Sequence, residues 1–220
     1  MTAPDRRATV ERLCEKGVIA VVRADSSEQL LEVAQALLAG GVDCIEITMT
    51  TPDALATIRR CREAMAPAAL IGVGSVLSPG VAAEALSAGA QFVVSPIFDA
   101  RIIRTAHDAG APALPGAFSP TEILAATNAG ADIVKVFPAT RLGPGFFKDV
   151  LAPMPHLKLC PTGGVNLETA GDFIRAGGVT LCVGSALVRK DAIRSGDFAA
   201  ITDLAERFVR TVAEARAGTS

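Results

Sequence analysis

A small-residue mark recurs along this chain. It reads AGGVDC at 39–44, SAGAQF at 87–92, DAGAPA at 108–113, NAGADI at 128–133 and RAGGVT at 175–180. A helix-like stretch precedes each mark and a strand-like stretch follows it. Glycine at that point suits the left-handed residue that ends a helix. The marks fall roughly 20 residues apart, or about double that, which is the length of one strand-plus-helix unit. A chain punctuated in this way is constrained to alternate strand with helix.

Eight strands fit between the marks: VIAVV (18–22), DCIEI (43–47), ALIGV (69–73), QFVV (91–94), PAL (112–114), DIVKVF (132–137), LKLC (157–160) and TLCVG (180–184). Most are unbroken apolar runs, the pattern of parallel strands covered on both sides. The expected class is α/β. The expected architecture is a (β/α)8 TIM barrel with an extra N-terminal helix, residues 5–15, beneath it, and residues 1–220 form one domain. An open doubly wound sheet is the competing fold, but no GxGxxG follows the first strand. Helix starts are legible too. Thr51-Pro52, Ser78-Pro79 and Ser119-Pro120 each set a capping hydroxyl before a first-turn proline. Ser119 with Glu122, and Asp25 with Glu28, have capping-box spacing.

Half of the 220 residues are apolar, enough for a sizeable core. The net charge of −2 and the absence of a basic stretch argue against nucleic acid and anionic membrane as partners. MTAPDRRATVERLCEKG lacks the apolar run of a signal peptide, and no segment is long and apolar enough to span a bilayer. Five cysteines, an odd number without a CxxC pair, read as reduced structural thiols. The expected compartment is the cytoplasm.

Active residues of such a barrel sit at the C-terminal ends of its strands. That rule selects Arg23, Glu46, Thr48, Ser75, Pro96, Lys135, Phe137, Thr162, Gly163, Gly164, Gly184 and Ser185. Lys135 stands out among five lysines because Val134 and Val136 flank it inside a strand. Burying an ammonium is costly, and a neutral amine attacks a carbonyl carbon. The other reading is a lysine paired with a carboxylate, and Lys158, earlier in its strand, is the rival nucleophile. Glu46 shares a strand face with Cys44 and Thr48. A carboxylate there suits a general acid or base, or a structural salt bridge to Lys135 or Arg23. PTGGVN at 161–166 and VGSALV at 183–188 follow strands seven and eight, where backbone amides of such barrels often hold phosphate. Ordinary tight turns would use the same glycines. Only His107 and His156 supply imidazole, neither at a strand end, so no catalytic metal is expected.

Taken together, GGVDCIEITMTTPDAL, IGVGSVLSP, FVVSP, LPGAFSPTE, DIVKVFPA, CPTGGV and CVGSALV resemble the 2-keto-3-deoxy-6-phosphogluconate (KDPG) aldolase family, whose relatives include 2-keto-3-deoxy-6-phosphogalactonate and 4-hydroxy-2-oxoglutarate aldolases. The match runs in order from about Val18 to Val188. It implies a class I aldolase without a cofactor, working on a small keto acid as a homotrimer. It implies that Lys135 forms the Schiff base and Glu46 is the general acid/base. Ser75 stands where a threonine often holds the pyruvate moiety, and Phe137 and Pro96 match pocket walls. Thr162, Gly163, Gly164 and Ser185 match the substrate-hydroxyl and phosphate region. One position departs from the pattern: Thr50 replaces the arginine frequent four residues after the glutamate. EITMTTP therefore looks like the phosphogalactonate branch, whereas CPTGG keeps the threonine of the phosphogluconate branch. Arg23, at the end of strand one, is expected to supply the missing cation to the substrate carboxylate or polar tail. A phosphate-binding barrel isomerase or synthase, or a non-catalytic assembly subunit, would be the alternatives from other classes.

Overall fold

The computed structural model describes residues 5–218. A helix comes first, α1 (Arg6–Lys16). The Asp5 carboxylate caps it by accepting from the amides of Arg7 and Ala8, and Gly17, at φ 71°, ends it. Strands then alternate with helices: β1 (Val18–Val22), α2 (Leu30–Ala39), β2 (Cys44–Thr48), α3 (Ala54–Met65), β3 (Leu70–Gly74), α4 (Pro79–Ser87), β4 (Val93–Val94), α5 (Ala100–Asp108), β5 (Ala113–Leu114) and β6 (Gly116–Ala117). The second half continues with α6 (Pro120–Asn128), β7 (Val134–Val136), α7 (Gly143–Leu151), β8 (Leu159–Pro161), α8 (Leu167–Arg175), β9 (Leu181–Val183), α9 (Lys190–Ser195) and α10 (Phe198–Ala217).

Every strand pairing is parallel. One curled sheet runs β5-β4-β3-β2-β1-β9 and the other β6-β7-β8. Two isolated parallel bridges, Leu159 to Gly178 and Thr162 to Cys182, tie the β8 side of the second sheet to the β9 side of the first. At the other junction β5 and β6 are consecutive, divided only by Pro115. Proline has no N–H for the ladder, yet its carbonyl still accepts from the Lys135 amide at 2.9 Å. The strand expected at 112–114 is β5, and β6 beyond Pro115 is one that the sequence reading did not place.

Side chains sort by strand alternation into two clusters. Ile45, Ile47, Ile71, Val73, Val134 and Val136 join the helices in the larger one. The opposite face contributes Ile19, Cys44, Leu70, Phe92, Val94, Leu114, Ile133, Cys160 and Cys182. Leu13 of α1 is fully buried in that second cluster and closes it from the strand-start end. Arg12 fastens α1 there. It donates to the Asp43 carboxylate at 2.8 Å and 3.0 Å, and to the carbonyls of Pro67 and Ala68.

Two expected helix starts differ. The capping box at Ser119 and Glu122 forms, and Ser78 caps α4. Asp25 and Glu28 form no box: α2 begins only at Leu30, and the Asp25 carboxylate binds Lys190 at 2.6 Å instead. Nor does Thr51 cap α3. Its hydroxyl accepts from the Ala24 amide and meets the Thr48 hydroxyl, so the helix begins beyond it, after Asp53. In both places a tertiary partner outcompetes the local cap.

Candidate active site

Glu46 and Lys135 lie on the face that carries the inner apolar cluster, one layer nearer the strand ends. In register, Glu46 stands between Val21 of β1 and Gly72 of β3. Lys135 stands between Gly116 of β6 and Cys160 of β8. Both are buried, Glu46 at 1% exposure and Lys135 at 6%. None of the ion pairs among the described residues involves Glu46, Lys135 or Arg23. The structural salt bridge that sequence leaves open is therefore not formed. Instead the Lys135 ammonium sits 5.1 Å from the centre of the Phe137 ring, within cation–π range.

Glu46 is the electrostatic anomaly. Its Oε2 is buried without a hydrogen-bond partner. Burial pushes its carboxyl above the ordinary carboxylate value, while the charges of Lys135 and then Arg23 pull it back down. An acid held this way keeps its proton to a higher pH than a free carboxyl does, which suits acid–base exchange. Beneath Lys135 the Cys160 thiol is raised well above its usual value, first by burial and then by its bond to Cys182, whose sulfur lies at 3.3 Å. It stays a neutral hydrophobe there.

The remaining candidates form a rim. Arg23 is exposed just past β1. Thr48 is fully buried, its hydroxyl 3.0 Å from that of Thr50 and 3.4 Å from that of Thr51. Ser75 follows β3 at φ 59°, a left-handed conformation that β-branched residues resist. Pro96 follows β4, and a Cβ on Gly116 would strike its carbonyl group. Phe137 remains 38% exposed. Thr162, 6% exposed, has a buried hydroxyl without a partner. Gly163 and Gly164 adopt φ 89° and 73°, and Ser185 is exposed beside Gly184. Around Gly184 a Cβ would meet nothing within 4 Å, so this backbone faces open space.

Other expected groups lie elsewhere. Lys158, the rival amine, is exposed ahead of β8, beside a cavity of about 280 Å3 that Arg6, Asp132 and His156 also line. His107 bonds Asp132 at 2.9 Å. Among the described residues no group of three or more His, Cys, Asp or Glu is placed to hold a metal ion. Sequence reading missed Thr140, which packs against Gly164 so closely that a Cβ there would collide with its side chain. The amide of Thr140 also donates to Gly163 at 3.0 Å.

Comparison with known proteins meets this geometry at one point. The model of the KDPG and KHG aldolases matches residues 10–204. The chain belongs to that family. A 2-dehydro-3-deoxy-phosphogluconate aldolase from Pseudomonas aeruginosa is 36% identical over 213 residues, covering 96% of each chain. A probable 2-dehydro-3-deoxy-6-phosphogalactonate aldolase from Rhizobium meliloti is 36% identical over 185 residues, 83% of this chain and 86% of its own. The KDPG aldolase of Legionella pneumophila, solved with pyruvate captured as a covalent carbinolamine, superposes with a TM-score of 0.81 at 30% identity, covering 86% of this chain and 92% of that one. As a member of that family the chain is a carbon–carbon lyase of the aldolase type.

The buried acid has a measurable consequence for stability. The folded chain holds the Glu46 proton more tightly than the unfolded chain, whose carboxyl titrates near 4.5. Folding stability therefore declines as pH climbs from that value through the raised folded one. Glu46→Gln removes the ionisation while keeping the shape. At pH 8 it should be the more stable protein, with the higher melting temperature. The advantage should shrink as pH falls toward 4.5. Parallel melts across pH 4.5–8.5 test this, and a gap that stays constant with pH would refute it.

Proposed function

We propose that this chain is a metal-independent class I aldolase. It cleaves 2-keto-3-deoxy-6-phosphogluconate to pyruvate and glyceraldehyde 3-phosphate through an imine on Lys135. The observation that carries the reading is a lysine and a glutamate buried on one strand face without an ion pair between them. Neither charge is neutralised structurally, so both remain available to a substrate. The same reading takes the two sheets as one closed (β/α)8 barrel with α1 as its plug, supported by the β8–β9 bridges and the continuity through Pro115.

In the proposed sequence the Lys135 amine adds to the C2 ketone, and loss of water leaves an iminium. Glu46, directly or through a water, takes the C4 hydroxyl proton. The C3–C4 electron pair moves into the iminium as that bond breaks, giving an enamine and releasing the aldehyde. Protonation of the enamine at C3 and addition of water return pyruvate and free Lys135. Phe137 and Pro96 wall the keto-acid end. Ser75 and Thr48 supply hydroxyls, Thr48 from behind the Thr50 and Thr51 hydroxyls. Thr162 addresses a substrate hydroxyl with its unsatisfied oxygen. Arg23 supplies the cation that Thr50 does not, and the amides of Gly163, Gly164, Gly184 and Ser185 receive the phosphate. Phosphogalactonate is the second candidate substrate, favoured by Thr50 and by the Rhizobium relative. Leu77 after β3, Ile97 after β4, Phe118 after β6 and Leu124 in α6 are exposed by 61%, 44%, 44% and 36%, apolar surface that a homotrimer would cover. A cytoplasmic location completes the reading.

Borohydride added with pyruvate should inactivate the enzyme and leave a reduced pyruvyl group on Lys135. Mass spectrometry that maps the label to Lys158 would overturn the assignment. Glu46→Gln should lower turnover by roughly 10²–10⁴-fold. Near wild-type cleavage by that variant would remove Glu46 from the base role.

The phosphate reading is tested best at Gly184, where an added side chain meets no protein atom. Gly184→Leu should melt normally. It should raise KM for phosphorylated substrates by about tenfold or more, the scale of one lost charge-assisted contact set, and spare unphosphorylated 2-keto-3-deoxy acids. An equal effect on both substrate types would place the phosphate elsewhere.

A further inference from the structure

Strand β3 carries two glycines on one face, Gly72 and Gly74, and they make room for different things. A Cβ on Gly72 would enter the Phe92 ring, part of the inner apolar cluster. A Cβ on Gly74 would collide first with Glu46: its three nearest neighbours are the Oε1, Cδ and Cγ of that side chain, the last at 2.6 Å. Gly74 is not among the residues of positive φ, so its backbone does not demand glycine. What demands it is the glutamate lying against its Cα.

Glu46 has little else to hold it. Among the described residues no hydrogen bond or ion pair engages its carboxylate, and Oε2 is buried without a partner. Packing, with the charges of Lys135 and Arg23 acting at longer range, sets where the acid points. The backbone offering that surface is itself fixed, because the Met49 amide donates to the Gly74 carbonyl at 2.9 Å. Pairing of Thr48 with Gly74 locks β2 to β3 at the same level. A buried side chain resting in a slot keeps its rotamer, as an acid–base group must if it is to reach one proton.

We propose that Gly74 is the positioning residue for Glu46: the missing Cβ is the slot that lays the carboxylate along β3, at the depth of the Lys135 amine. The inference rests on Glu46 being the acid/base. An added methyl is relieved most cheaply by rotating the glutamate, since its three nearest neighbours are all atoms of that flexible side chain. The fold survives and the carboxylate is displaced.

Gly74→Ala should therefore lower kcat about 100-fold or more while KM changes by less than about threefold. Borohydride trapping of pyruvate should persist, and the pH dependence of kcat should shift because the acid leaves its pocket. In a Glu46→Ala background the slot is vacant, so adding Gly74→Ala should cost less than about twofold further. Wild-type kcat in Gly74→Ala, or a full loss repeated on top of Glu46→Ala, would overturn the proposal. Thermal melts of all four proteins provide a readout independent of turnover. Gly74→Ala should destabilise the wild type more than it destabilises Glu46→Ala. If the single variant does not fold, the double variant should fold as Glu46→Ala does, and its failure to do so would count against the slot. Undiminished turnover by Glu46→Ala alone would sink the acid/base role, leaving the slot to be judged by the melts.

Discussion

The structure is organised around one unfavourable act, the burial of an amine and a carboxyl on the same strand face without joining them. Either group alone costs several kcal/mol once taken out of water. A direct ion pair would return much of that cost, and the fold withholds it. What makes the arrangement tolerable is its setting. Parallel strands satisfy their own backbone groups, and the layer below is a dry plug of Ile19, Phe92, Ile133 and their neighbours sealed by Leu13. Rigid packing there leaves the two groups no easy route to each other.

That setting also explains the chemistry's division of labour. Three of the four positions flanking the two groups in register are small or soft, Gly72 beside Glu46 and Gly116 and Cys160 beside Lys135, and the fourth is Val21. Side chains on the two glycines would collide with the Phe92 ring and the Pro96 carbonyl group, which wall this layer. Cys160 fills some of it without charge, because burial keeps its thiol protonated. The cluster of Thr48, Thr50 and Thr51 hydroxyls then closes the end of β2 and connects it to the backbone just after Arg23.

Much of this was legible in the sequence, because alternation along a strand is a strong constraint. The eight apolar runs fall on the observed strands, and Val134-Lys135-Val136 could only put the lysine on the face opposite its neighbours. Less legible was anything decided between distant segments. Asp25 satisfies the local rule for a cap but finds Lys190, and Thr51 finds Ala24. The close approach of Thr140 to Gly164 has no local signature at all. The glycines of IGVG carried a signal that could have been used. Two glycines at alternate strand positions mark close approach by something on that face, although sequence cannot say that one faces a phenylalanine and the other an acid.

The same contrast separates the reaction from the substrate. Lys135 and Glu46 stand on strand interiors, where register and packing determine position, so a motif of a few residues specifies them well. The groups that would read the rest of the substrate stand on loops: Arg23 after β1, Gly163 and Gly164 after β8, and Gly184 and Ser185 after β9. Loop positions depend on contacts such as Thr140 against Gly164 rather than on periodicity, and they vary without disturbing the core. Relatives equally similar overall can therefore bear different substrate names, as the Pseudomonas and Rhizobium enzymes do at 36% identity each. Selectivity between two sugar acids differing at one hydroxyl requires only a hydrogen bond made or left unmade, about 1–3 kcal/mol for a buried partner. One loop hydroxyl, such as the unpaired one of Thr162, is enough to supply that difference while the lysine and glutamate remain where the strands put them.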